Sequence, residues 1–318
     1  MRLGFASLVA TLAVVGLAPC VFAQPVPQNT VLRTEYGQPD LQGVWAIEFL
    51  TPLERPNGVD DLIVTREQAE AVSAAIRKAI PAVHDPDLDI QDVQQLAIVR
   101  GQYRTSVIVE PTDGRMPFTQ TGADLSARVR NRNSSKFDNP EERPSMERCL
   151  EGFISAPIRS GALLLPFRIV QTSDAVVIAA EDVAGLRIIH LSGASLPERM
   201  RSIEGYSSGH WEGDTLVVLT THLRADDPSR FGAGRPLVLT PKTRVTERFT
   251  RVSEAELLYQ FTVEDADLYT RPWTGEFSMR RYDGTVYEYA CHEGNEYSMT
   301  DVLRVGRVAD SVVEKANR

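Results

Sequence analysis

The sequence lacks several short motifs that would assign an enzyme class directly. Its 318 residues contain no phosphate-binding loop, no His-Glu-x-x-His zinc motif and no dinucleotide-binding fingerprint. Cofactor-dependent redox chemistry therefore has no support in the sequence, and we predict no cofactor.

Excess basic charge and long apolar runs are also lacking. The formal net charge is −9, whereas nucleic acids and anionic lipids attract basic surfaces, so we predict no nucleic-acid partner. After residue 23, no segment is long and apolar enough to cross a bilayer, so we predict no membrane span.

The first 23 residues have the pattern of a cleavable secretory signal. Arg2 supplies the positive start, residues 6–18 form an apolar run, and a small-x-small site ends at Ala23. We expect cleavage near Ala23 and a periplasmic or secreted protein. The alternatives are a membrane anchor and a lipoprotein attached through Cys20.

Cysteine is scarce, and its use fits an oxidising compartment. Cys20 would leave with the signal, and Cys149 and Cys291 would remain as an even pair, which predicts a disulfide. The alternative is two buried thiols. The ligand spacing needed for zinc is missing, including for a set made of His210, His222 and His292, so we predict no metal site.

Helical signals are concentrated near the N-terminus. Thr65 and Gln68 form a capping-box pattern ahead of a helix, and the acidic residues 84–99 suggest a second one. Residues 122–147 are polar and predict a surface loop. We therefore predict a signal in 1–23, an extended and helical region in 24–100, and a β domain in 101–318.

The C-terminal half has the pattern of successive strands. Residues 257–264 alternate between apolar and polar side chains, and Gly213 and Gly284 stand in turn sequences typical of hairpins. An antiparallel meander of this length would leave open edges unless it closed. We predict a mainly β fold that closes into a barrel-like sheet of the calycin or lipocalin type, with a small helical N-terminal region.

Four sequence motifs link the chain to a protein family. They are WEGDTLVV at 211–218, ERFTR at 247–251, RPWT at 271–274 and YACHEGN at 289–295. In combination they resemble a large group of exported, uncharacterised bacterial proteins. The resemblance implies export and a common architecture, and it implies no particular reaction.

Two kinds of function fit these residues. In the first, the barrel holds a small, largely apolar molecule against the aromatic residues Trp211, Tyr259, Phe261, Trp273 and Tyr289, although such residues most often form a core. In the second, a cofactor-independent hydrolase, dehydratase or isomerase uses the same cavity. His292 would be its base, Glu293 or Glu247 the partner, and Arg248 the group that stabilises negative charge. The plain alternatives are a surface histidine and cross-strand ion pairs.

The disulfide prediction has a direct chemical test. Thiol titration of the denatured, unreduced mature protein should find no free thiol, because Cys149 and Cys291 would be joined. Titration after reduction should find two. Two free thiols before reduction would contradict the bridge.

Overall fold

A computed structural model of the chain describes most residues after the predicted signal. These residues are 32–79, 93, 95–135, 138–159, 164–183, 185–193, 196–224, 229–230 and 236–316. The predicted signal and most of the predicted second helix, residues 84–99, lie outside them.

Short strands and two helices make up the first half of the chain. They are β1 (Gly43–Ile47), β2 (Ile63–Val64), α1 (Arg66–Ala79), β3 (Ile98–Val99), β4 (Gln102–Arg104), β5 (Ile108–Glu110) and α2 (Gln120–Ser135). A 3-10 turn follows at Pro140–Glu142.

Longer strands and one long helix make up the second half. They are β6 (Leu165–Gln171), β7 (Ala175–Ala180), β8 (Leu186–His190), β9 (Tyr206–Glu212), β10 (Thr215–Thr221), β11 (Ser229–Arg230), β12 (Leu237–Val238), β13 (Arg244–Arg251), β14 (Glu256–Glu264), β15 (Trp273–Arg281) and α3 (Cys291–Ala316).

Nine of these strands close into a barrel, which confirms the predicted mainly β, barrel-like fold. Their order is β1-β6-β7-β8-β9-β10-β13-β14-β15, and β15 pairs back with β1. The predicted meander is antiparallel throughout, and this is wrong at one place: β8 and β9 are parallel. Residues 191–205 form a long connection, which a parallel pair needs and a hairpin does not.

Period-two alternation builds the barrel wall. In β14, Leu257, Tyr259, Phe261 and Val263 are all buried and belong to one hydrophobic core with Trp45, Phe167, Phe249 and Phe277. Successive side chains of a strand point to opposite faces, so this set fills the interior. The alternation predicted for residues 257–264 is confirmed.

Two segments close the ends of the barrel. Residues 32–42, the cap segment, cover one end, where Gln171 at the end of β6 binds the backbone of Leu41 and Pro39. Residues 151–159, the plug segment, enter the other end, and residues 151–158 are all buried. Phe153, Ile154 and Ile158 join the main core cluster.

Helix α1 forms where the capping box predicts it. Thr65 and Gln68 bind each other's backbone N–H groups, over 3.3 Å and 2.9 Å. Val72 and Ile76 pack against a small cluster that includes Leu96. The predicted N-terminal helix is therefore confirmed, although the longest helix of the chain, α3, is C-terminal rather than N-terminal.

The loop predicted for residues 122–147 is wrong in its first half, which is helix α2. Its buried face carries Gly122, Ser126 and Val129, so small and polar residues take places usually held by large apolar ones. A β-carbon on Gly122 would lie 2.2 Å from the carbonyl oxygen of Leu268. Close backbone packing therefore replaces the hydrophobic periodicity that normally marks a helix.

The hairpin predicted at Asp283-Gly284 is also wrong. β15 ends at Arg281, no strand follows within residues 282–290, and α3 begins at Cys291. A hairpin partner would need a free edge of β15. Both edges are occupied, one by β14 and the other by β5 and β1.

None of the helices in the described part of the chain has a stretch long and apolar enough to cross a membrane.

Candidate functional site

An arginine and a glutamate meet inside the barrel. Arg187 of β8 and Glu247 of β13 are buried, with Nη1 of the arginine 2.9 Å from Oε1 and its Nη2 in contact with Oε2. Arg187 also donates to the hydroxyls of Ser207 and Thr220, over 3.2 Å and 3.0 Å. The Tyr259 hydroxyl donates to Oε1 of Glu247 over 2.8 Å. Both charges are thus hydrogen-bonded, as buried charges must be.

The same centre holds the plug segment. Arg187 donates to the carbonyl oxygen of Ile154 over 3.2 Å, and the Ile158 N–H donates to the Tyr259 hydroxyl over 2.7 Å. A third anchor is the Asp182 carboxylate, which accepts the backbone N–H groups of Phe153 and Val183. These contacts fix the plug segment by its backbone.

Burial sets the protonation of these groups. Burial and the neighbouring Glu247 carboxylate hold the pKa of the Tyr259 hydroxyl well above its usual value, so it remains a donor. Burial also raises the pKa of the Asp182 carboxyl, although the N–H groups of Val183 and Phe153 oppose the rise.

The Arg187–Glu247 centre is enclosed. Its polar groups therefore hydrogen-bond to each other and to the plug segment rather than to a substrate.

One sequence pattern at this centre has the spacing of a nucleophile elbow. Gly205-Tyr206-Ser207-Ser208-Gly209 matches Gly-x-Ser-x-Gly, but an elbow places its serine on an exposed turn between a strand and a helix. Ser207 instead lies buried within β9, bound to Arg187 and Thr220. The pattern therefore carries no nucleophile.

A groove of about 370 Å³ opens on the surface beside the disulfide. It lies between the segment that precedes the plug and the first turns of α3. Its lining residues are Pro140, Arg148, Leu150, His292, Asn295, Glu296 and Met299. We call it the disulfide groove, because its lining residues Arg148, Leu150 and His292 are the chain neighbours of Cys149 and Cys291, which form the predicted bridge with their Cα atoms 6.0 Å apart.

Both walls of the disulfide groove are fixed. Asn295 of α3 donates to the carbonyl oxygen of Glu147 over 2.7 Å and to the sulfur of Cys149 over 3.3 Å. On the other wall, the buried Arg143 guanidinium donates two hydrogen bonds, of 2.8 Å and 2.9 Å, to the Glu147 carboxylate. A preformed groove spares a ligand the cost of ordering its site.

The lining of the disulfide groove combines apolar and polar groups. Leu150 and Met299 offer apolar surface, whereas Arg148, His292 and Glu296 offer a cation, an imidazole and a carboxylate. His292 and Glu296 are four residues apart on α3, which places them on one helix face. This mixture is typical of small-molecule sites.

The structure disperses the predicted catalytic residues. His292 lines the disulfide groove, but Glu293, next to it, is exposed and outside the lining. Glu247 lies inside the barrel with Arg187, and Arg248 lies on the outer face, 3.0 Å from Glu212. The carboxylate that shares the groove with His292 is Glu296, which the sequence reasoning missed. A helix prediction for this segment would have revealed Glu296, because residues four apart lie on the same face of a helix.

The predicted ligand-binding aromatics are dispersed as well. Tyr259, Phe261 and Trp273 are fully buried and pack against one another, with ring centres 5.6 Å apart in each neighbouring pair. Trp211 is half-buried at the edge of that core, and Tyr289 is exposed. The three buried rings are thus part of the core, which leaves the interior of the barrel filled by side chains.

The other histidines that the structure describes, His190, His210 and His222, stand outside the groove lining. His210 contacts Glu212 over 3.1 Å, and His222 contacts the Thr221 hydroxyl and the carbonyl oxygen of Leu196. Within the described residues, no group of three or more histidine, cysteine, aspartate and glutamate side chains is arranged to hold a metal ion.

No known family, curated protein or solved structure matches the chain. The resemblance to exported bacterial proteins therefore stays a prediction. The geometry of the disulfide groove and of the Arg187–Glu247 centre is the basis for a functional proposal.

Replacing Arg187 with methionine should lower the free energy of unfolding by about 3–5 kcal/mol, because Glu247 would stay buried without its counter-charge. Urea denaturation followed by tryptophan fluorescence measures this. The double variant Arg187→Met/Glu247→Leu should regain part of the loss, since it leaves no buried charge. Arg168→Met, at an exposed arginine of β6, is the control and should change stability by less than about 0.5 kcal/mol. Equal stability of the Arg187 and Arg168 variants would contradict a stabilising role for the buried pair.

Proposed function

We propose that this protein is an exported barrel that binds a small amphipathic molecule, with an apolar body and an acidic group, in the disulfide groove. The observation that carries the proposal is a surface groove with two fixed walls, in which Leu150 and Met299 stand beside Arg148 and His292. Apolar surface with a few convergent polar groups is the usual pattern of a ligand site.

The volume of the groove sets the size of the ligand. About 370 Å³ lies near the lower end of the range for small-molecule sites. Arg148 and His292 would meet the acidic group, and Met299 with Leu150 would cover the apolar body. Glu296 disfavours a second negative charge at its end of the groove, because like charges repel.

The barrel interior supports ligand binding less well. The core residues and the plug segment occupy it, and a ligand would have to displace a segment held by Arg187, Tyr259 and Asp182. The proposal therefore keeps the predicted class of function, a small-molecule binder, and moves the site from the interior to the surface.

The fluorescent anion 1-anilinonaphthalene-8-sulfonate is a suitable probe, because it has an aromatic body and one acidic group. Titration should shift the NMR imidazole resonance of His292, which the variant His292→Gln assigns by its loss. Met299→Glu should weaken this binding by about tenfold or more, because it places a negative charge in the apolar part of the groove. Met200→Glu, at an exposed methionine outside the groove lining, is the matched control.

Two results would contradict the proposal. One is a His292 resonance that stays fixed at saturating probe, and the other is equal weakening by the two methionine variants. Native mass spectrometry of the purified protein adds a readout without a probe, because a retained small molecule should be lost in Met299→Glu and kept in Met200→Glu.

A second candidate function is acid–base catalysis in the same groove. The specific observation in its favour is that His292 and a carboxylate, Glu296, line one groove with the cation Arg148. His292 would be the general base, Glu296 its partner, and Arg148 the group that stabilises developing negative charge. This keeps the predicted role of His292 and reassigns its partners.

Hydrolysis of p-nitrophenyl acetate tests the catalytic candidate. His292→Gln should lower kcat/KM by about a hundredfold, the usual contribution of a general base. His210→Gln, at another exposed histidine, should leave kcat/KM unchanged. Wild-type hydrolysis no faster than buffer, or equal loss in the two variants, would remove support for catalysis while leaving the binding proposal intact.

A further inference from the structure

Helix α3 carries a stripe of valines on its exposed side. Val305, Val308 and Val312 are 63%, 57% and 60% exposed, and they are flanked on the same face by Asp301 and Lys315. The spacing along this line alternates between four and three residues, which is the spacing of a helix–helix seam. We call these five residues the valine stripe.

The opposite face of α3 contacts the rest of the protein. Leu303 is buried, Asn295 binds the backbone of Glu147, and Arg307 donates to the carbonyl oxygen of Asp138 over 2.9 Å. At 100° per residue, Asn295 and Leu303 lie about 140° around the helix from Val308, and Arg307 lies about 100° from it. The valine stripe therefore points outward from the barrel.

The composition of α3 indicates that it needs further packing. Its second half contains several valines and Gly306, and both residue types have low intrinsic helix propensity. Most helical stability in proteins comes from tertiary packing of an apolar face. A valine face that is exposed to water gains no stabilisation from packing, so a partner that covers the stripe would stabilise the helix.

The end charges of the stripe identify the partner. Asp301 lies at one end and Lys315 at the other, with the valines between them. In an antiparallel pair of α3 helices centred at Val308, Asp301 of each copy would face Lys315 of the other. A parallel pair would instead place Asp301 against Asp301 and Lys315 against Lys315, and like charges across a seam are unfavourable.

We propose that the valine stripe is the interface of a two-fold homodimer, in which the α3 helices of two copies pack antiparallel. A two-fold axis near Val308 makes the surface self-complementary, as an isologous interface requires. The Asp301 carboxylate, now 3.3 Å from Arg304 within its own helix, would gain the Lys315 ammonium of the second copy.

The size of the stripe predicts a weak dimer. From Asp301 to Lys315 the helix extends roughly 21 Å, so the seam buries less than a standard interface of about 1,600 Å². We expect dissociation in the micromolar range, and hence a mass that rises with concentration.

Sedimentation velocity of the full chain from about 1 to 300 µM tests the interface. Wild type should move from monomer to dimer across this range. Val308→Glu should raise the dissociation constant at least about tenfold, because it places two carboxylates together at the two-fold axis. Val313→Glu, on the same helix and 59% exposed but off the stripe, is the matched control and should still dimerise. Circular dichroism verifies that each variant is folded.

A charge exchange tests the antiparallel arrangement. Asp301→Lys and Lys315→Glu should each weaken the dimer, because each creates two like-charged contacts. The double variant should restore it, and an equimolar mixture of the two single variants should form a mixed dimer. In a parallel seam each position would face its own copy, so the charge contacts would remain like-charged in every variant, and neither the loss in the single variants nor the rescue would appear.

Three results would overturn the proposal. These are a wild-type monomer throughout the range, a dimer indifferent to Val308→Glu, and equal loss in Val308→Glu and Val313→Glu. A monomer whose stripe is protected from solvent would identify another part of the same chain as its cover. Failure of the charge exchange would be a fourth such result, because the proposal requires an antiparallel seam. None of these outcomes bears on the disulfide groove, which the probe titration tests separately.

Discussion

The ion pair between Arg187 and Glu247 lies where the barrel wall meets the plug segment, and the arrangement of both depends on it. An unpaired charge in this place would be costly, so each partner requires the other, and the strands that carry them must keep their register. A shift of β8 or β13 by one residue would turn its charged side chain to the outer face. The pair thus ties the closed barrel to one register and one plug conformation.

The consequence for function is that the enclosed polar centre and the open groove have different tasks. Arg187 and Glu247 are hydrogen-bonded to each other and to Ile154, Thr220 and Tyr259, so their role is structural. The plug segment that they hold begins two residues after Cys149. That cysteine is joined by the disulfide to Cys291, the first residue of α3. The buried charges therefore stabilise the disulfide groove from a distance, because they hold the segment that leads into one of its walls.

The sequence was informative where local rules govern the structure. Thr65 and Gln68 marked the start of α1, the alternation at residues 257–264 marked β14, and the cysteine pair marked the bridge. Each of these signals depends on neighbouring residues or on a simple count. The closed barrel followed from the general need of a long meander to remove its edges.

The features that the sequence hid depend on contacts between distant residues. Arg187 is two residues before Ile189 in β8, so both side chains point into the barrel. Only the folded barrel shows that Glu247, sixty positions away in sequence, faces Arg187. Helix α2 packs through Gly122 and Ser126, so its periodicity is faint. The end of β15 looked like half of a hairpin until β1 and β5 took its free edge.

The candidate site was predicted only in part, for the same reason. The sequence singled out His292 for a cavity inside the barrel, whereas the structure places it in the disulfide groove on the surface. Its neighbours Arg148 and Met299 come from different segments that the bridge brings together. Helix α3 was not predicted, because valine has low helix propensity, and the line of valines along it appears only once the helix is known.

The pairing of β1 with β15 also determines when the barrel can form. Trp45 and Arg281 are directly opposite each other in the closing pair, although most of the chain separates them in sequence. The barrel cannot close during synthesis until residue 281 is available, and contacts of such long range slow folding. Until then the early strands have open edges and an unfilled interior. This order of events fits the export proposed for this protein, because a chain that crosses a membrane unfolded must not close its barrel beforehand.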